Sequence, residues 1–146
     1  MTSLSHFLST DHSHCDDLFA EAENAVVAKD WTRAQTEFRR FLDEMKHHFA
    51  MEEEVLFPAF ETHTGMSGGP TSVMRGEHVQ MNEVFAAMRD ALAHQDGNGY
   101  LGFSETLLML MRQHNLKEEN ILYPMADQAL AGQQDALLNR MEQIPH

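Results

Sequence analysis

Apolar residues recur along the chain with a helical period, in segments separated by clusters of glycine, proline and short polar residues. The stripes read Leu4, Leu8, His12, Cys15, Phe19, Ala22, Val26 in the first segment and Phe38, Phe41, Leu42, Met45, His48, Phe49, Glu52, Leu56, Ala59 in the second. They continue as Met74, His78, Met81, Phe85, Met88, Leu92 in the third and Leu107, Met111, His114, Glu118, Ile121, Leu122, Met125 in the fourth. The breaks at "AKDW" (28–31), "TGMSGGPT" (64–71) and "DGNGYLG" (96–102) place helices at about 3–28, 31–63, 71–94 and 101–130, with a short piece at 133–143. No period-2 pattern of useful length is present. The expected fold is all-α: one domain over residues 1–146 with its core at about 3–130, an antiparallel up-down four-helix bundle with a short C-terminal helical extension. Thr71 and Ser72 are expected to cap the third helix, and Asn98 and Gly99 to close the loop before the fourth. Pro58 and Pro124, each ten residues after a histidine, are expected to kink or weaken the last turns of their helices.

Each stripe carries one histidine, and two carry a glutamate, which is where the pattern stops looking like an ordinary core. His12, His48, His78 and His114 lie on the stripes, whereas His47, His63, His94 and His146 fall off them or at element ends and are expected in solvent. His14 stands about 200° around the helix from His12, so the two cannot both face inward, and His12 is the one in phase. Glu52 and Glu118 follow His48 and His114 by four residues, one turn along the same face. A buried carboxylate needs a compensating charge. The inward positions hold no Lys or Arg, so a divalent metal is the remaining compensator, and imidazole with carboxylate suits iron, manganese or zinc. Four imidazoles and two carboxylates exceed one tetrahedral ion and serve two octahedral ions if both carboxylates bridge. The remaining positions then stay open to an oxo or hydroxo group, water or a small molecule. Glu53 and Glu119 come next in sequence and are read as supports or surface charge rather than ligands. Asp16, four residues after His12, could orient a ring nitrogen or approach the metal.

Composition narrows the partners. The net charge of −13 over 146 residues repels nucleic acid and anionic membrane surfaces. No apolar run is long enough for a membrane span and no secretory signal is visible, so a cytoplasmic protein is expected. The single Cys15 excludes an internal disulfide and a cysteine-based zinc site.

The ordered set "DHSHCDDLF", "HFAMEEEVLFP", "EHVQMN" and "HNLKEENILYP" resembles the hemerythrin-like family, the histidine-histidine-glutamate cation-binding domain, from about His6 to Asp127. The resemblance implies an up-down four-helix bundle with a non-haem di-iron centre, its metal ligands falling on His12, His48, Glu52, His78, His114 and Glu118. Two Fe ions bridged by Glu52 and Glu118, with an oxo or hydroxo bridge, are the expected cofactor. Oxygen-carrying members place a second histidine where this chain has Asn82, and an aspartate where it has Glu119. The set is more similar to the bacterial di-iron proteins that repair iron centres under nitrosative stress and to iron-sensing hemerythrin-like domains. A stand-alone module is expected, binding or turning over oxygen, nitric oxide or peroxide as a sensor or detoxifier. Iron storage, buffering or metal-dependent signalling without catalysis is the alternative.

Overall fold

The computed structural model describes residues 2–146. It is an all-helical, up-down bundle whose helices run α1 Leu4–Val27, α2 Trp31–Met51, α3 Phe57–Thr64, α4 Pro70–Ala93, α5 Gly97–Lys117, α6 Tyr123–Ala129 and α7 Gln134–Glu142. Two π-helical turns, Glu52–Leu56 and Glu118–Leu122, join α2 to α3 and α5 to α6 without a break. Hairpin α1–α2 packs on hairpin α4–α5, with α1 against α5 and α2 against α4 closing the square.

The two hairpins are built alike. Elements of the first half recur 66 positions later: Leu4–Val27 as Pro70–Ala93, Trp31–Met51 as Gly97–Lys117, Glu52–Leu56 as Glu118–Leu122. Their tight turns match as well. Lys29 and Gln95 take left-handed backbone (φ 58° and 52°), while the next amides, Asp30 and Asp96, reach back to the carbonyls of Ala25 (3.0 Å) and Ala91 (2.8 Å). That is a Schellman ending, and the same aspartates then cap the following helix by accepting from the amides of Arg33 (3.2 Å) and Gly99 (2.9 Å). The fourth long helix therefore starts at Gly97, with Asn98 and Gly99 inside its first turn rather than in a loop. Likewise α4 starts at Pro70 after Gly69, and Thr71, instead of capping it, donates its hydroxyl to Glu61 (2.6 Å) across the loop from α3.

At Pro58 and Pro124 the expected disturbance of the helix takes the form of a π-turn. Each sits second in the α-helix that comes after a π-turn, in which the amide of Phe57 or Tyr123 bonds back five residues to the carbonyl of Glu52 or Glu118. A proline has no amide to offer the α-helical acceptor four residues before it, and one extra residue per turn absorbs the mismatch. The turn also rephases the stripe. Phe57 and Phe60, and Tyr123 and Ala126, become the buried positions, while the expected Ala59 and Met125 are only half-buried and Ile121 is exposed.

The apolar interior falls into two clusters. One, around Phe19, Phe41, Met45, Phe85, Met88 and Tyr100, fills the half nearer the tight turns. The other, around Leu8, Leu56, Phe57, Phe60, Tyr123 and Met141, fills the half under α3, α6 and α7. Buried histidines and glutamates lie between them in sequence along every long helix. Cys15 is buried on the first cluster, where burial pushes its thiol well up and keeps it protonated.

Candidate metal centre

All six residues read from the stripes are buried: His12, His48, His78 and His114 at 6, 1, 1 and 2% exposure, and Glu52 and Glu118 at 0%. His14 is exposed, as the helical phase requires. The donor atoms converge as two overlapping groups, Glu52 with His78, His114 and Glu118, and His12 with His48 and Glu118, each group having its atoms within 4.8 Å of one another. Glu52 reaches His48 Nε2 (3.4 Å) and His78 Nε2 (3.1 Å), and Glu118 reaches His12 Nε2 (3.0 Å) and His114 Nε2 (3.1 Å). Each glutamate therefore touches one histidine from each hairpin.

The ring edges facing away from the centre are held by a second set of carboxylates. Asp11 accepts from His48 Nδ1 (2.7 Å), Glu53 from His78 Nδ1 (2.5 Å), Glu77 from His114 Nδ1 (2.8 Å) and Glu119 from His12 Nδ1 (2.8 Å). Each bond passes from one long helix to the next, so the four form a closed ring around the bundle. Because a carboxylate only accepts, Nδ1 must carry the proton, and in the neutral ring Nε2 then turns a lone pair inward. Fixing a ring through its outer nitrogen in this way is how metal-binding histidines are oriented. Asp16 has no part in the ring: it is exposed, and Glu119 occupies the nitrogen it was expected to orient.

The electrostatics of the cluster calls for a cation. Six carboxylates surround four imidazoles, and the one ammonium paired with them among the described residues is Lys117, 2.5 Å from Glu77. Glu52 Oε1, Glu118 Oε2, His78 Nε2 and His114 Nε2 are buried with no hydrogen-bond partner. The short approaches between glutamate and imidazole thus lack hydrogen-bond alignment at several of these atoms. Leaving such groups unpaired costs about 1–3 kcal/mol apiece, more for a charge. Protons compensate in part. Burial opposes charging of His114, but Glu118 and Glu52 overcome it and raise the ring to about 9, and Glu118 and Glu119 raise His12 in the same way. His48, wholly buried, is shifted down. Burial and the charge of Glu118 push Glu52 up; burial acts likewise on Glu118 but is outweighed by hydrogen bonds from Glu52, His114 and His12, which hold it low. The donors fit a metal on their own chemistry: imidazole nitrogens and carboxylate oxygens, preoriented, with unsatisfied lone pairs converging.

The matching family model covers residues 3–126 and describes the hemerythrin HHE cation binding domain. The chain belongs to this family. Cation binding by a hemerythrin domain accounts for the buried His/Glu group, which could hold metal. No curated protein and no solved structure matches the chain. No helix among the described residues is long and apolar enough to cross a membrane.

Three residues of this hemerythrin site carried no signal in the stripes. Asp11 and Glu77 each directly precede a candidate ligand, as Glu53 and Glu119 directly follow one; that adjacency was the available clue. The third is Tyr123, wholly buried, whose hydroxyl lies 2.8 Å from Glu52 Oε2 and 3.0 Å from Glu118 Oε1. It also stands 3.1 Å from His12 Nε2 and 3.4 Å from His48 Nε2. The π-turn turns it inward. His47 is a correction of a different kind. It is buried, not solvated, because the C-terminal segment folds over it, with Nε2 donating to the Ile144 carbonyl (2.9 Å) and the ring stacked on His146 (3.7 Å).

Proposed function

We infer that the chain is a non-haem di-iron protein of the cytoplasm. His12, His48, His78 and His114 hold two iron ions that Glu52 and Glu118 bridge, and the pair binds or turns over oxygen, nitric oxide or peroxide as a sensor or detoxifier. The supporting observation is the convergence of four inward imidazole nitrogens and two fully buried carboxylates, with polar atoms of Glu52, Glu118, His78 and His114 that nothing in the chain satisfies. Two irons so held supply redox-active, Lewis-acidic centres with coordination positions left for a small molecule.

The chain's own contribution is orientation, exclusion of water and proton handling. The ring of outer carboxylates fixes each imidazole. Phe49 stacks on His78 at 3.8 Å, and the two apolar clusters close the layer from either end, so the interior is dry and electrostatic interactions there are strong. Glu53 and Glu119 are each 39% exposed while holding a buried ring, which connects the inner layer to solvent for protons without admitting bulk water. Beside Glu119, a groove of about 510 Å³ lined by Asp16, Phe19, Met111 and Arg112 opens between α1 and α5. Its mixed apolar lining suits a small neutral molecule.

Anaerobic loading with ferrous iron should give about two irons per chain. Rapid mixing with oxygen, nitric oxide or hydrogen peroxide under optical monitoring then identifies the reactive partner. Binding of two irons with a raised melting temperature and no reaction would turn the reading to iron buffering. A chain that takes up no iron would sink it.

A further inference from the structure

The twofold repetition of the site is broken at one atom. Position 57 and its counterpart 123 follow the same histidine, glutamate and π-turn and precede the same proline, but one is Phe57 and the other Tyr123. Phe57 packs beside His78 (5.8 Å between ring centres) under Arg75, and ends in carbon. Tyr123 brings a hydroxyl to the corresponding place beside His12 and His48.

That hydroxyl is poorly explained as a hydrogen-bond donor. It has one proton, and four acceptors surround it at 2.8–3.4 Å: Glu52 Oε2, Glu118 Oε1, His12 Nε2 and His48 Nε2. His48 Nε2 is an acceptor here because its Nδ1 proton is committed to Asp11, and His12 Nε2, which also meets Glu118, is one while its ring is neutral. The single phenol proton serves one of the four at a time, although His12 Nε2 also has Glu118 Oε1 within 3.0 Å. The spacing has another reading. Donors bound at about 2.1 Å to one octahedral ion stand about 3.0 Å apart when cis. The phenol oxygen has that spacing to His12 Nε2 (3.1 Å) and Glu118 Oε1 (3.0 Å) and stands slightly wider from His48 Nε2 (3.4 Å), and His12 Nε2 has it to Glu118 (3.0 Å).

Resting on the di-iron reading, we propose that Tyr123 is a metal ligand, its phenolate oxygen completing the donor set of the His12/His48 ion. The two metal positions are then unequal: His12, His48, Glu52, Glu118 and Tyr123 surround one, whereas His78, His114, Glu52 and Glu118 surround the other. On loading with ferric ion the O–H bond of the phenol is exchanged for an O–Fe bond, its proton leaves to the buffer, and no electron moves. The hydroxyl-free side at Phe57 keeps the extra open positions, so an incoming small molecule binds the His78/His114 ion.

A ferric phenolate is coloured by charge transfer from the ring, and resonance Raman excitation in that band shows tyrosinate ring vibrations. The oxidised di-iron protein should show both. Tyr123→Phe should retain two irons and lose the band, while Tyr100→Phe, which removes the chain's other phenol from the far apolar cluster, should keep it. Growth on ring-deuterated tyrosine makes the same test in the unaltered chain, where the vibrations should shift. Two irons bound with no tyrosinate vibrations, or an unchanged band in Tyr123→Phe, overturns the ligand assignment and leaves the di-iron reading standing. A wild-type chain that binds no iron overturns both.

Discussion

Residues 4–64 and 70–130 fold into the same object twice, a helical hairpin whose second arm passes through a π-turn into a proline-bearing helix. Where the halves agree, they carry what a site between them requires: a histidine on each arm, a glutamate at each π-turn, and an acidic residue beside His12, Glu52, His78 and Glu118. Where they differ, they set its sides apart. Tyr123 corresponds to Phe57, Lys117 on Glu77 corresponds to buried Met51, and α7 packs on the π-turn of the first half. Repetition thus supplies a symmetric frame, and a few substitutions within it supply direction.

The strongest way to break the comparison is to remove what both halves contribute. Glu52→Gln together with Glu118→Gln should lower bound iron from about two per chain to almost none by metal analysis. At iron 100-fold above its dissociation constant each occupied site adds about 2.7 kcal/mol to stability, so the rise of the melting temperature with iron should vanish as well. Retention of both irons would mean that the glutamates are not ligands.

Removing one outer carboxylate tests the sides separately. Asp11→Asn and Glu119→Gln loosen His48 and His12, whereas Glu53→Gln and Glu77→Gln loosen His78 and His114. Each change should weaken one of the two positions by roughly 10–100-fold, and calorimetric titration should turn biphasic. Equal weakening of both positions by a single change would show that the ring acts as one unit.

A smaller effect comes from pH. The folded, metal-free protein holds the His114 proton up to about 9, against about 6.5 when unfolded, and His12 is shifted the same way. A group raised on folding stabilises fully below its unfolded value, and that contribution is lost as pH rises through the folded value. Denaturant melts of the metal-free chain should therefore show this contribution declining between about pH 6.5 and 9. Iron must displace the same protons, so its apparent affinity should rise over that interval. His48, shifted down, acts on the acid side and lowers stability as pH falls below its unfolded value.

Helix positions, the square bundle and the six inner residues were legible because burial and helical period act together at every turn, so an inward His or Glu stands out against Leu and Phe. The π-turns were not. Up to Glu52 a period of 3.6 places each side chain correctly, but one inserted residue rotates every later side chain of the helix by about 100°, and Ile121 and Met125 appear inward in place of Tyr123 and Ala126. Tyr123 was hidden by that rotation. The outer ring was hidden for another reason: Asp11 and Glu77 lie on helix flanks, where a charge looks like ordinary surface until the neighbouring helix brings a histidine to it. The burial of His47 depends on the C-terminal segment folding back over it, which no local pattern announces.

The π-turns themselves allow the smallest test. Pro58→Ala and Pro124→Ala restore an amide able to bond the carbonyl four residues earlier, Glu54 in one half and Asn120 in the other, and so favour reversion to α-helix. Reversion is opposed by Phe57 and Phe60, or by Tyr123 and Ala126, which would leave the core. With the two tendencies opposed, each variant should change stability by no more than about 1 kcal/mol. The halves should still respond differently to metal. Even a partial rotation at Tyr123 moves its hydroxyl away from four donor atoms, whereas the same rotation at Phe57 moves only carbon. Pro124→Ala should weaken iron binding severalfold and Pro58→Ala hardly at all. Equal responses would assign the π-turns to core packing and leave the phenol no special place.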